Sequence, residues 1–227
     1  MSKTIFASIL LVATVVLAAD MPLSVSDVVT GPQSHVRLTN SGAQPVTAWS
    51  LAATSRSEGG RTRREVYTVD GYLSELTHGL PGAEEHRERL MPGQSRDIPL
   101  DPLPVGAAVE PVAAVLDDGT GIGDEAALTQ IFTKRTKERD ALKAVADAFA
   151  EVLPAKHGAD AVAALTERFN ALVQRDDSIP CRAALEAVQS LQRGMPADQI
   201  DQSLEKYADF VKRQYDLAAK HSQRRPA

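Results

Sequence analysis

Apolar positions along the 227-residue chain follow two different rhythms, and the change falls near residue 124. From 22 to about 123 the chain is rich in Val, Thr, Ser, Gly and Pro, and its apolar residues come in short runs. "SHVRLTN" (34–40) alternates and puts Val36 and Leu38 on one face, the period of a half-buried strand. "VTAWSLAAT" (46–54) is apolar enough for burial on both faces and carries Trp49, the single tryptophan. "EVYTVDGY" (65–72) reads as a strand, "LMPGQSRDIPL" (90–100) as a Pro-Gly turn and a short strand, and "VEPVAAVLDDG" (109–119) as the last strand. Between them, "NSGAQP" and "SRSEGGRTRR" are dense in turn formers and polar residues. About six short strands separated by turn signals predict an antiparallel sandwich. Trp49 is its expected core centre, because one large ring fills the space between two sheets.

From 124 the rhythm changes to three-and-four spacing in Ala, Leu, Lys, Arg, Glu and Gln, which are good helix formers. A first helix is expected over 124–153, with Leu128, Ile131, Phe132, Leu142, Val145, Phe149 and Val152 as its stripe. Its centre, "TKRTKERD" (133–140), has no large apolar residue and reads as a solvated stem. Pro154 and Gly158 break the pattern. Further helices are expected over 159–175 (Val162, Leu165, Phe169, Leu172), 180–193 (Cys181, Ala184, Leu185, Val188, Leu191) and 196–221 (Ile200, Leu204, Tyr207, Val211, Tyr215, Ala218). Each has one apolar stripe, so the four should bury those stripes together, antiparallel across short connections. Alanine faces bury little area, so the expected bundle is modestly stable alone and draws support from the strands, a second copy or a partner.

The runs "VRLTNSGAQPVTAWSL", "LMPGQS" and "VAAVLDDGTGIGD" resemble the small immunoglobulin-like β-sandwich of exported bacterial proteins of uncharacterised function. The resemblance covers about 100 residues and rests on turn chemistry, so it bears on fold and not on activity. With the periodicity, it gives an α+β multidomain expectation: a signal peptide over 1–19, an antiparallel immunoglobulin-like sandwich over 20–123, and a helical stem and antiparallel bundle over 124–227.

The N-terminus supports the first of these. Lys3 precedes an uncharged apolar run of about 15 residues, and small residues at Val16-x-Ala18 and Leu17-x-Ala19 suit a signal peptidase. The run is short for a membrane span. A cleaved signal is therefore the expectation and a retained anchor the alternative, with the mature protein in a periplasm or outside the cell and no membrane span after cleavage. Cleavage removes one lysine and leaves 24 basic against 30 acidic residues. That acidic balance argues against nucleic acid as a partner, since such binding rests on clustered Lys and Arg. Cys181 is the only cysteine, so no internal disulfide is available, and its place on an apolar stripe makes it a small buried hydrophobe.

Candidate chemistry is sparse. No G-x-S-x-G elbow and no H-E-x-x-H occurs. In "LDDGTGIGDE", Asp117, Asp118 and Asp124 are the weak candidates for a cation, but the stretch lacks the D-x-[DN]-x-[DN]-G spacing and the distal bidentate Glu of a calcium loop. Each acid has a structural reading instead: Asp118-Gly119 as a turn pair, Asp124 as a helix N-cap, and Glu125 as an anion in the first helical turn. The connection "THGLPGAEEHRE" (77–88) holds His78, Glu85 and His86 and is the candidate ligand or metal loop, although its spacing matches no zinc pattern. Arg56, Arg61, Arg63 and Arg64 form a basic loop, and Tyr72 lies at the start of the long connection. Loops on a rigid scaffold carry function. The expectation is therefore an exported, non-enzymatic interaction protein with no cofactor and an unknown protein partner, touching it through 55–64 and 70–93. A small-ligand or metal-binding protein using 77–88 is the alternative. A hydrolase with dispersed catalytic residues is the third reading, because such groups are recognised by geometry and not by order.

Overall fold

The computed structural model describes residues 20–56, 60–72, 75, 89–192 and 195–225. The expected signal segment and the 77–88 loop lie outside the described residues. The described chain is α+β: two antiparallel sheets, of three and four strands, and four helices. Strands β1 (Leu23–Val29), β2 (His35–Asn40) and β5 (Ser95–Pro99) form the first sheet in the order β1-β2-β5. Strands β3 (Val46–Arg56), β4 (Thr62–Asp70), β6 (Ala108–Leu116) and β7 (Gly121–Gly123) form the second in the order β4-β3-β6-β7.

The alternation in β2 does what its pattern predicts: Val36 and Leu38 are fully buried, and Arg37 between them is exposed. The two sheets share one core, with Leu23, Val36, Leu38 and Ile98 from the first and Val46, Trp49, Leu51, Val69 and Ala114 from the second. Trp49 is fully buried within it, as expected. Asn40 organises the turn between β2 and β3. Its amide donates to the Gln44 and Leu90 carbonyls at 2.8 and 2.9 Å, and its Oδ1 accepts from Gly42 N at 2.9 Å. A buried amide with three partners carries little desolvation cost.

Two strands were not expected from the sequence. β1 buries only Leu23 fully and bulges between Ser26 and Val29, with Asp27 at φ +50°, so its apolar signal is weak. β7 is three residues long and lies inside the glycine-rich stretch, where turn composition hides it.

The hand-over from sheet to helix follows the sequence reading closely. Asp118 Oδ1 accepts from Thr120 N at 2.9 Å and Gly119 takes φ +89°, closing the turn between β6 and β7. Asp124 then caps α1 (Glu125–Val152), accepting from Ala127 N at 2.9 Å, with Glu125 in the first turn. The C-terminal segment returns to this place. Arg225 N donates to the Gly119 carbonyl at 2.9 Å, Thr120 and Arg225 form a parallel bridge, and Arg224 pairs with Glu125.

Helices α1, α2 (Gly158–Arg175), α3 (Ile179–Gln192) and α4 (Ala197–His221) start and stop within about two residues of their expected bounds, the usual uncertainty of helix ends. The α1 stripe serves two cores. Ala127, Leu128, Ile131 and Phe132 pack on Ala48, Ala113 and Val115 of the four-stranded sheet. Leu142, Val145, Phe149 and Val152 join Val162, Leu165 and Phe169 of α2, Ala184 and Val188 of α3, and Leu204 and Val211 of α4. Phe149 and Phe169 meet edge to face, ring centroids 5.2 Å apart. No helix among the described residues is long and apolar enough to cross a membrane.

Gly123 is the tightest point of the hand-over. It has φ +108°, and a Cβ there would lie 2.2 Å from the Val112 carbonyl oxygen. Gly123→Ala should therefore destabilise the protein by about 3 kcal/mol or more, through both strain and displaced backbone. Gly106→Ala, at φ +80° with nothing near its Cβ position, should cost only about 1 kcal/mol. Urea unfolding of the two variants measures the difference.

Candidate functional site

Two polar regions stand out, at opposite ends of β4. The first is the β3–β4 hairpin. Ser55 pairs with Arg63 and Arg56 with Thr62, so the strands run in register to the turn. Arg56, Arg61, Arg63 and Arg64 are all exposed. Arg63 pairs with Glu65, whose carboxylate also accepts from Tyr67 Oη at 3.0 Å. Burial, with that acid beside it, pushes the Tyr67 hydroxyl up to about 12.

The second region is a buried ion pair between sheet and helices, and no sequence signal marked it. Arg135, in the middle of α1, is 1 % exposed. Its guanidinium grips Asp70 at the end of β4 with two bonds, Nε to Oδ2 at 2.8 Å and Nη2 to Oδ1 at 3.0 Å. It also donates to Thr47 Oγ1 at 3.1 Å and to the His221 carbonyl at the end of α4 at 3.3 Å. Thr47 passes the chain on to the Val115 carbonyl of β6 at 3.0 Å. The guanidinium lies 5.0 Å from the Tyr72 ring centre and 5.7 Å from that of Phe132, within cation–π reach. The solvated stem expected over 133–140 is thus corrected at one position. Thr133, Lys134 and Lys137 are exposed, but Arg135 points inward, because Asp70 and Tyr72 supply the charge and the π-face that make its burial affordable.

Tyr72 belongs to this junction and not to a loop surface. It is fully buried and tilts against the His221 ring at 4.6 Å. As an exposed contact residue it is therefore corrected: the long-range partners that bury it come from α1 and α4, which local sequence does not reveal. Burial raises the Tyr72 hydroxyl above its ordinary range. Burial, then the Lys220 charge, holds His221 below its usual value. Beside them Arg89 binds Glu75 with two bonds at 2.8 and 2.9 Å and pairs with Asp117.

The three acids considered for a cation are separately engaged. Asp117 faces Arg89, Asp118 accepts from Thr120 N and, at 3.4 Å, from Gln44 Nε2, and Asp124 caps α1. Among the described residues no group of three or more His, Cys, Asp and Glu is placed to hold a metal ion. His78, Glu85 and His86 fall outside the described residues. Cys181 is 2 % exposed, and burial raises its thiol, with the Asp176 and Glu138 charges adding to the shift and the Ser178 hydroxyl opposing it. The helix start does not activate this thiol.

Glu138 is the remaining unusual group. It sits one turn beyond Arg135, half-buried beside the α2–α3 connection, and its Oε1 has no hydrogen-bond partner among the described residues. Burial, with the Asp176 charge added, lifts its carboxyl from an ordinary 4.5 to about 7.

No family model, no curated protein and no solved structure matches the chain. Function therefore has to be argued from these side chains.

Two outcomes are expected. Asp70→Asn leaves Arg135 buried without its counter-charge and should cost about 3 kcal/mol in urea unfolding, whereas pairing Asp70→Leu with Arg135→Met should recover much of that loss. Glu138 binds its proton more tightly folded than unfolded, so its contribution is fully present below about pH 4.5 and is lost as pH rises through about 7. Glu138→Gln should then add about 2 kcal/mol of stability at pH 8 and little at pH 5, read as the difference in thermal midpoints.

Proposed function

We propose that the mature chain is an exported, non-enzymatic binding protein: an immunoglobulin-like sandwich that presents the β3–β4 hairpin to a protein partner, mounted on an antiparallel helical bundle. The hairpin is the observation that carries this reading. Between 56 and 64 the sequence has four arginines and one glutamate, in a chain with net charge −5. A local positive field on an acidic protein steers an acidic partner to one end of the molecule. The arginines project from a nine-pair antiparallel ladder, which holds them at low conformational cost before a partner arrives.

The non-enzymatic part draws on where reactive groups are spent. Asp70, Asp117 and Asp124 serve ion pairs and a cap, the Cys181 thiol is raised by burial, and His221 tilts against Tyr72. Export draws on the apolar run after Lys3, and the immunoglobulin-like assignment on the turn motifs around Asn40, Pro92-Gly93 and Asp118-Gly119.

Chemical cross-linking of the tagged mature protein in its exporting cell, read by mass spectrometry, tests the reading. One recurring partner linked through 55–64 is expected. Arg63→Ala with Arg64→Ala should weaken capture by about tenfold while moving the thermal midpoint by no more than about 2 °C, since both side chains are exposed. Self-links alone, or capture unchanged by the replacements, would count against it.

A further inference from the structure

The edges of the two sheets are not equally protected. β1 is bulged at Ser26–Val29, β5 ends in Pro99, and β7 has three residues beside the returning C-terminal segment. Bulges, prolines and short strands all discourage pairing with another chain. β4 has none of these. Over its nine residues it pairs with β3 in unbroken register, and among the described residues no strand lies on its other side. A cleft of about 350 Å³ opens next to it, between β4 and β5, with Leu51, Tyr67, Val69, Ile98 and Leu100 among its walls. Val66, in the middle of the strand, is 43 % exposed.

Charge along β4 is graded. Arg63 and Arg64 lie at the hairpin end, Glu65 follows and pairs with Arg63, and Tyr67 and Val69 lie toward the junction. The one acid at the far end, Asp70, is 6 % exposed and held by Arg135, so it offers nothing to an incoming chain. A second copy of β4 added antiparallel would set Val69 and Thr68 opposite Arg63 and Arg64 and bring no further counter-charge to either guanidinium, although Arg63 already pairs with Glu65 in its own strand. An acidic segment would satisfy them.

We infer that β4 is a strand-addition site: the protein binds an extended segment of its partner as a fifth strand along Thr62–Asp70, with carboxylates opposite Arg63 and Arg64 and apolar side chains opposite Tyr67 and Val69. In such pairing the backbone bonds supply affinity and the side-chain sites supply selection. This deepens the binding function proposed above and rests on it.

The test uses the full mature protein and a labelled peptide of Val-Thr-Val-Thr-Thr followed by Glu-Glu, which in antiparallel register sets its valines opposite Val69 and Tyr67 and its acids opposite Arg64 and Arg63. Fluorescence anisotropy should show binding. Amide hydrogen exchange should slow across 62–70. A version with Lys for Glu should bind at least about tenfold more weakly, and so should the acidic peptide to the Arg63→Ala, Arg64→Ala variant. A version with N-methylated backbone amides, which cannot complete a ladder, should not bind. Equal binding of the N-methylated peptide, with exchange across 62–70 unchanged, overturns strand addition but leaves the arginine hairpin as a charge-guided contact. Protection of 62–70 that appears without peptide and rises with protein concentration makes a second copy the occupant and overturns the acidic partner. If no peptide binds, strand addition is also overturned, and cellular capture unaffected by the arginine replacements would then remove the binding function with it.

Discussion

The buried pair of Arg135 and Asp70 is the contact through which sheets and helices become one body. An unpaired guanidinium at 1 % exposure is intolerable, so its burial forces three elements to meet: the end of β4 through Asp70, the start of β3 through Thr47, and the end of α4 through the His221 carbonyl. Four of the five guanidinium donors find acceptors, and two aromatic rings cover its faces. The pair adds less net stability than its geometry suggests, because desolvation offsets most of the attraction. Its consequence is position: a helix rotated by one residue, or a sheet shifted by one pair, would leave a charge in the interior with no partner.

Around that anchor the chain fastens its own ends. The C-terminal segment lies along the β6–β7 turn, where the missing side chain of Gly119 lets the Gln223 carbonyl approach a position that a Cβ would crowd at 3.0 Å. Arg89 ties the connection after β4 to Asp117. Polar contacts and close backbone approach therefore concentrate at the junction, while the opposite end of β4 carries exposed arginines. The two ends of the strand therefore differ: the Asp70 end is committed inward, and the Arg63–Arg64 end is exposed.

Much of this was legible in the residues. The four helices followed from three-and-four spacing and its breaks at Pro154, Gly158 and Pro196, because an amphipathic helix must repeat its apolar face every turn. The hairpin arginines were found because turn composition and like charge are local properties. β1 and β7 were not, since one has a single fully buried side chain and the other is three residues of turn-like sequence. The inward turn of Arg135 was also invisible. An arginine in "TKRTKERD" looks like its neighbours until Asp70, 65 residues earlier, is placed against it.

The sequence by itself determined the period of each element, the turns between them, the cap at Asp124, the central place of Trp49 and the basic character of the β3–β4 tip. These depend on neighbours within a few positions, whose geometry the backbone dictates. The tertiary structure alone decided that α1 serves two cores, that Tyr72 is covered and Arg135 enclosed, and that β4 is the end strand of its sheet among the described residues. Those facts depend on which distant surfaces remove each group from water, and burial is a property of the packed whole.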